Sequence, residues 1–281
     1  MSVELAPRHK VGLSLEHPLL LANCTAELLS LCDHTVVGAV IAAEIGSRAR
    51  APRRVGERPG GFLWEEGRGV NSLQGLRRLL RVAGSLPVLG RVLGAEARGA
   101  ARAAGRLQQE GVQALVLDLL PGDLRQAEEV LTAVRRATDL PLLAQVPLWE
   151  AVPYARACEA EGADALVVAG PPRGLAAFDD PHSPKIVEVH GPLLHPLFLL
   201  AVQQVARAVT IPLIARGGLL TAADAQAFLA QGAAAVTIDS LALVEPAAVA
   251  EIGHSLSPDD QPRQAPEEGV GADAQRGREG P

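Results

Sequence analysis

Apolar runs recur along the chain in two alternating forms. Leu86–Leu89, Leu140–Leu143 and Ile211–Ile214 each open on an aliphatic residue and a proline, whereas Gly111–Leu117, Gly162–Val168 and Gly232–Ile238 each open on a glycine. Every run is short and continuously apolar, which is how a strand buried on both faces of a parallel sheet reads. Proline suits the first residue of a strand, and glycine the end of the preceding helix. Between the runs, apolar residues return at helical spacing. Ala127, Val130, Leu131 and Val134 form one stripe; Phe198, Val202, Val205 and Val209 form another, with Pro196 at the helix start. Thr221, three residues before Asp224, predicts an N-cap with a carboxylate near the helix's positive end. Pro18–Ala22 and Thr35–Ala42 complete eight predicted strands, each followed by a helical or irregular crossover. The arithmetic predicts an α/β protein, a closed (β/α)8 TIM barrel, spanning residues 1–256 as a single domain.

Three segments break the rhythm. Residues 43–71 and 171–195 are too long and too rich in Gly, Pro and Arg or charge for routine connections. Both follow predicted strands, so they belong at the C-terminal face of the barrel, where active sites of this architecture lie. Residues 257–281 are polar and rich in Pro, Gly and Gln, and read as a disordered acidic tail.

Composition sharpens this picture in a few places. The chain has 281 residues, of which 48% are hydrophobic and only 2% aromatic, so the core is built from Ala, Val, Leu and Ile. The net charge is −6, and half of it sits in the tail, which argues against a nucleic-acid partner for the folded body. No apolar run approaches the ~18 residues of a membrane span, and the first residues lack a signal-peptide layout, so a cytoplasmic protein with no membrane partner is expected. Cys24, Cys32 and Cys158 lack metal-ligand spacing, and no metal site is expected. Lys10 and Lys185 are the only lysines among 26 basic residues, which restricts where a catalytic lysine could be.

Four stretches, "EHPLLLANCT", "GAVIAAEIGSRARAPRRVGERPGG", "EGADALVVAG" and the long "HPLFLLAVQQVARAVTIPLIARGGLLTAADAQAFLAQGAAAVTIDSLALVEP", carry a resemblance to the dihydroorotate dehydrogenases, above all the soluble class 1 enzymes, over roughly residues 1 to 250. The resemblance implies an FMN-linked barrel of pyrimidine biosynthesis. It also shows where the chain departs. The lysine that the family carries at the end of strand 2 corresponds to Ala42-Ala43-Glu44. The N-x-S/C-x-P-N phrase that binds flavin and substrate corresponds to Asp118 through Asp123. The Cys or Ser base on the next loop has no counterpart, because Leu124 already begins a helix. The strand-5 lysine corresponds to Gln145, and the strand-6 asparagine to Gly170. Of the G-G-x-S-G loop, Gly191 remains, after Val189-His190. The Gly-Thr that holds the FMN phosphate corresponds to Asp239-Ser240.

Losing the base removes a contribution of about 10² to 10⁴ in rate, and a carboxylate at 239 would face a phosphate with like charge. Arg216 is the cation within reach, and an Arg216–Asp239 pair would satisfy both groups without a ligand. The expected function is therefore a dihydroorotate dehydrogenase-like pseudoenzyme in a binding, regulatory or subunit role. The alternative is an FMN-dependent oxidoreductase with a re-tooled site using Asp118, Gln145 and His190. Were FMN retained, Gly191, Arg216, Gly217, Gly218 and Ser240 would hold it. By resemblance, a homodimer is implied, and one class of the family adds an iron–sulfur flavoprotein subunit.

Other residues keep two readings each. Gly217-Gly218 offers either amides for an anion at a helix start or a tight strand-to-helix turn. His190 and His195 are solvated loop histidines or proton-transfer groups. Glu44 and Asp118 form an acid–base carboxylate pair only if a cation or metal joins them. Cys24 is a reactive thiol if exposed and an ordinary core thiol otherwise. Arg48, Arg50, Arg53, Arg54 and Arg58 are structural partners for acids such as Glu57 and Glu65.

Overall fold

The computed structural model describes residues 2–45, 55–58, 61–65, 72–178, 180–239, 241–242 and 245–257. Along the chain these form β1 (Val3–Glu4), β2 (Ser14–Leu15), β3 (Leu19–Cys24), α1 (Ala26–Leu29), β4 (Ala39–Ala42), β5 (Val55–Arg58), β6 (Gly61–Glu65), α2 (Leu73–Ala83) and β7 (Val88–Gly94). There follow α3 (Ala97–Glu110), β8 (Ala114–Leu119), α4 (Leu124–Ala137), β9 (Leu142–Pro147), α5 (Ala151–Ala160), β10 (Ala165–Gly170), β11 (Arg173–Ala176) and β12 (Lys185–His190). The last elements are α6 (His195–Ala206), β13 (Leu213–Arg216), α7 (Ala222–Ala230), β14 (Ala235–Ile238) and α8 (Pro246–Ser255).

Strands β3, β4, β7, β8, β9, β10, β13 and β14 close into a parallel barrel in that order, β14 returning to pair with β3. The eight predicted strands and the TIM-barrel class are thus as expected. The continuous apolar runs are the cause: β8 and β9 are buried at all six positions, one face toward the barrel interior and the other toward the helices. Helix α4 buries the predicted stripe Ala127, Val130, Leu131 and Val134. Asp123 caps it, accepting from the Gln126 amide at 3.1 Å, and Arg135 and Arg136 sit in its last turn, where the helix dipole favours cations. Helix α7 starts in a reciprocal capping box between Thr221 and Asp224, as its sequence predicts. At the N-terminal end, Leu5, Leu13 and Leu15 of the β1–β2 hairpin pack under Leu20, Leu89 and Val116 and seal the barrel.

Two expectations need correction. The strand predicted over Thr35–Ala42 starts only at Ala39, after a 3-10 turn over His34–Val36 that Asp33 caps. Gly38 then brings the chain onto β3: its amide donates to the Leu19 carbonyl at 2.8 Å, and a Cβ there would meet the His17 carbonyl oxygen at 1.8 Å. The segments 43–71 and 171–195 are not merely long loops. Their described parts form a four-stranded antiparallel sheet in the order β11-β12-β6-β5, beside the C-terminal ends of the barrel strands. Arg48, Arg50, Arg53, Arg54 and the tail from residue 258 lie outside the described residues, and the side chains of Glu57, Arg58 and Glu65 are not among those described, so the proposed pairing of the arginine cluster falls outside the description. Among the described residues no helix is long and apolar enough to cross a membrane.

Candidate functional site at the barrel mouth

Inside the barrel, the strands change character over a single pleat. Leu89, Val116, Leu143, Ile214 and Ala235 belong to one aliphatic cluster in the interior. Two residues farther along the same strands, on the same face, stand Arg91, Asp118, Gln145, Arg216 and Thr237. Asp118, Gln145, Arg216 and Thr237 are buried, none more than 6% exposed. This polar rung is the floor of the mouth.

Its charges are bound to one another. Arg91 donates through Nε to Asp118 Oδ2 at 2.5 Å and through Nη1 to Asn23 Oδ1 at 2.5 Å, with Nη2 also against the same Asp118 oxygen. Asn23 holds a left-handed backbone conformation (φ 51°), which asparagine tolerates better than most residues. Burial works against the charge on Arg91, but Asp118, then Glu188 and Glu44, hold its guanidinium more firmly protonated than usual. On the other side, Arg216 donates to Asp239 Oδ2 through Nε at 3.2 Å and Nη2 at 3.1 Å, and its Nη1 donates to Gln145 Oε1. The Arg216–Asp239 pair expected from the sequence is present.

The antiparallel sheet supplies the upper wall. Glu188 Oε2 lies 3.3 Å from His190 Nε2, and the His190 ring stacks on Phe62 at 4.9 Å with 3° between planes. Burial pushes the Glu188 carboxyl up, but the His190 hydrogen bond and the Arg216 and Arg91 charges overcome it and hold it below the ordinary carboxylate range. His190 is therefore a partly buried strand residue with partners, which corrects the reading of a solvated loop histidine. His195 begins α6, its Nε2 3.7 Å from Asp224 Oδ1 and its ring edge-on to Phe228 at 4.8 Å. It too is packed instead of solvated.

Two cavities open at the mouth. One of about 450 Å³ is lined by Glu44, Asp118, Gln145, Gly170, Trp149 and Glu188, among others. A smaller one of about 190 Å³ lies at the β13 and β14 ends, against Gly191, Gly217, Gly218 and Asp239. Gly217 and Gly218 both have positive φ, at +102° and +64°. A Cβ on Gly217 would meet the Phe198 ring at 2.5 Å, and one on Gly218 the His195 backbone at 2.7 Å. The fold itself needs both glycines, for a tight turn against α6. Ser240 lies outside the described residues.

Of the residues singled out in the sequence, Glu44, Asp118 and Gln145 line the larger cavity and Gly191, Gly217 and Gly218 the smaller one, while Arg216 borders only a separate void of about 10 Å³. Cys24 does not belong to the site: its buried thiol is pushed up to about 12 by burial, with Cys32 nearby adding to it. Asp123 is spent as a helix cap. Sequence reasoning missed Arg91, the cation that joins Asp118, and missed Glu188 and Trp149. Arg91 was detectable in principle, as a charge in phase with Leu89 inside an otherwise apolar strand. Among the described residues, no group of three or more His, Cys, Asp or Glu is placed to hold a metal.

Comparison with known proteins adds a family context. A family model described as nitronate monooxygenase matches residues 125–255. The chain is 30% identical over 289 residues to the dihydroorotate dehydrogenase B (NAD(+)) catalytic subunit of Pelobacter propionicus, covering 91% of this chain and 92% of that protein. The corresponding subunit of Trichlorobacter lovleyi is 30% identical with the same coverage. That of Desulforudis audaxviator is 31% identical, over 87% of this chain and 89% of the relative.

Proposed function

Because the chain belongs to the dihydroorotate dehydrogenase family, we propose that it is a member whose mouth no longer runs the family's oxidation and that serves a binding, regulatory or subunit role. The observation that carries this reading is the commitment of Arg216. Its guanidinium is 3% exposed and divided between Asp239 and Gln145. A cation that would otherwise meet a phosphate is neutralised by the protein's own carboxylate, and Gln145 stands where the family has a lysine.

The family's cofactor, FMN, is a poor fit to the described residues. A phosphate dianion at the β13 and β14 ends would approach Asp239 with like charge. Gly217 and Gly218 are already required by the tight turn against Phe198 and His195, so their presence does not itself call for an anion. Ala42 and Ala43 offer no amine at the end of β4, and the turn after β8 leads directly through the Asp123 cap into α4. Between Leu119 and Leu124 that turn carries no Cys or Ser.

Relatives are named catalytic subunits, and we extend to this chain a quaternary role, as a homodimer or with a partner subunit. Leu193, Leu197 and Leu200 support it as exposed leucines at the start of α6 and just before it. The alternative, an FMN-dependent oxidoreductase with a re-tooled site, is favoured by the 450 Å³ cavity, with Glu188, the partner of His190, on its wall. An assay of dihydroorotate oxidation with added FMN and an artificial electron acceptor separates the two. The proposal expects no turnover above a protein-free control. Turnover of about 1 per second or faster, the ordinary enzyme range, would overturn it.

A further inference from the structure

The barrel closes where its last strand pairs with its first, β14 against β3, and a buried histidine stands at the N-terminal end of that seam. His17, just before β3, is 7% exposed. Beside it, the Pro18 carbonyl accepts from the Val236 amide of β14 at 2.9 Å. The His17 ring joins two elements. Its Nδ1 accepts from the Leu19 amide at 3.2 Å, and its Nε2 lies 3.4 Å from Ser257 Oγ, just past the end of α8. The Gly253 carbonyl, in the last turn of α8, also receives a hydrogen bond from the ring. That turn is closely packed: Val249, Ile252 and Leu256 are buried, and a Cβ on Gly253 would meet Val36 Cβ at 2.4 Å.

These roles fit one protonation state. With Nδ1 accepting a main-chain amide, the proton of the neutral ring is on Nε2, which donates toward α8. A second proton would go on Nδ1 and face the Leu19 N–H, donor against donor, leaving a buried amide without its acceptor. We propose that His17 is a pH-sensitive latch at the barrel seam: neutral, it ties the last turn of α8 to the start of β3, and protonated, it releases that turn. Burial pushes the His17 imidazole below its ordinary value; the Gly253 hydrogen bond opposes this, and the charges of His254 and the amino terminus add to it. Asp33, the carboxylate of the neighbouring 3-10 turn, is held by Thr35 and acts on His254 and His34. Glu16, beside His17 in sequence, and Glu251, on α8, are exposed. The contribution of His17 is therefore full above the ordinary histidine range and is lost as pH falls through the depressed folded value.

Amide hydrogen exchange of the purified full chain, corrected for the intrinsic effect of pH on exchange, reads this local opening. Between about pH 7.5 and about pH 5.5, α8 and the Leu19 amide are expected to lose protection by about threefold or more. Strands β8 and β9, across the barrel from the seam, are expected to keep theirs. His17→Asn supplies an acceptor without a titrating ring and is expected to abolish the step. His254→Gln is expected to leave a step, because that side chain only adds to the effect. Unchanged protection of α8 in the parent, an equal loss in all strands, or a step that survives in His17→Asn would overturn the latch. Should His17→Asn not fold, the ring resonances of His17 in the parent, assigned through their backbone, decide the matter. They are expected to titrate below the ordinary histidine range and together with the loss of α8 protection; titration within that range would overturn the assignment.

Discussion

Two rungs of the same barrel, one pleat apart, have opposite chemistry. The lower rung, with Leu89, Val116, Leu143 and Ile214, is a dry aliphatic layer; the upper one, with Arg91, Asp118, Gln145 and Arg216, is a buried ionic layer. The lower rung needs only volume and apolarity, so any family member with suitable aliphatic residues closes the same barrel. The upper rung needs specific partners. In this chain the charges partner one another, so the layer that closes the barrel and the layer that floors the mouth answer to different requirements. Fold and mouth chemistry reside in different layers, so each can be changed by substitution separately from the other.

The largest test of this contrast breaks the upper rung. Arg91→Leu strands the Asp118 carboxylate in the interior and is expected to cost about 3 to 5 kcal/mol in urea unfolding. Adding Asp118→Leu to the same chain is expected to recover stability to within about 1 kcal/mol of the parent or above it, since a buried ion pair is often no better than apolar packing. A double variant as unstable as the single one would mean that the ionic rung carries the fold. In the lower rung, Leu143→Ala has no partner that could rescue it. It is expected to cost about 2 to 4 kcal/mol by the same measurement, through lost burial and a residual cavity.

A smaller effect probes the upper wall by pH. The Glu188 carboxyl is lowered in the folded state, after burial is outweighed by His190 and the two arginines. Its contribution is therefore present above the ordinary carboxylate range and is lost as pH falls through the depressed folded value. The stability gap between parent and Glu188→Gln is expected to narrow on acidification over about pH 5 to 1, where the protein remains folded enough to measure. A gap that widens would reverse the sign. Smallest of all, and remote from both rungs, Thr221→Ala removes the α7 cap and is expected to cost about 1 kcal/mol, with no change at the mouth.

The lower rung was legible in the sequence, because continuous apolar runs at regular intervals leave few alternatives to a closed parallel barrel. The Arg216–Asp239 pair was legible too, since a carboxylate and a guanidinium stand at the ends of adjacent strands, near the turn Gly217-Gly218. Arg91 was not found because its partners, Asn23 and Asp118, are far away in sequence and only strand register brings them together. Glu188 was hidden for a related reason. The antiparallel sheet joins 55–65 to 173–190 across more than a hundred residues, and no local pattern announces that pairing. The strand start at Ala39 was missed because Thr35 and Val36 read as strand by residue type, whereas the Asp33 cap holds them in a 3-10 turn.

The most direct measurement of the central claim is a visible absorbance spectrum of the purified protein, before and after incubation with FMN and gel filtration. The account predicts no flavin in either sample, because Arg216 is held by Asp239 and Gln145. Stoichiometric FMN surviving filtration would contradict it, since the ion pair would then have to open for the phosphate.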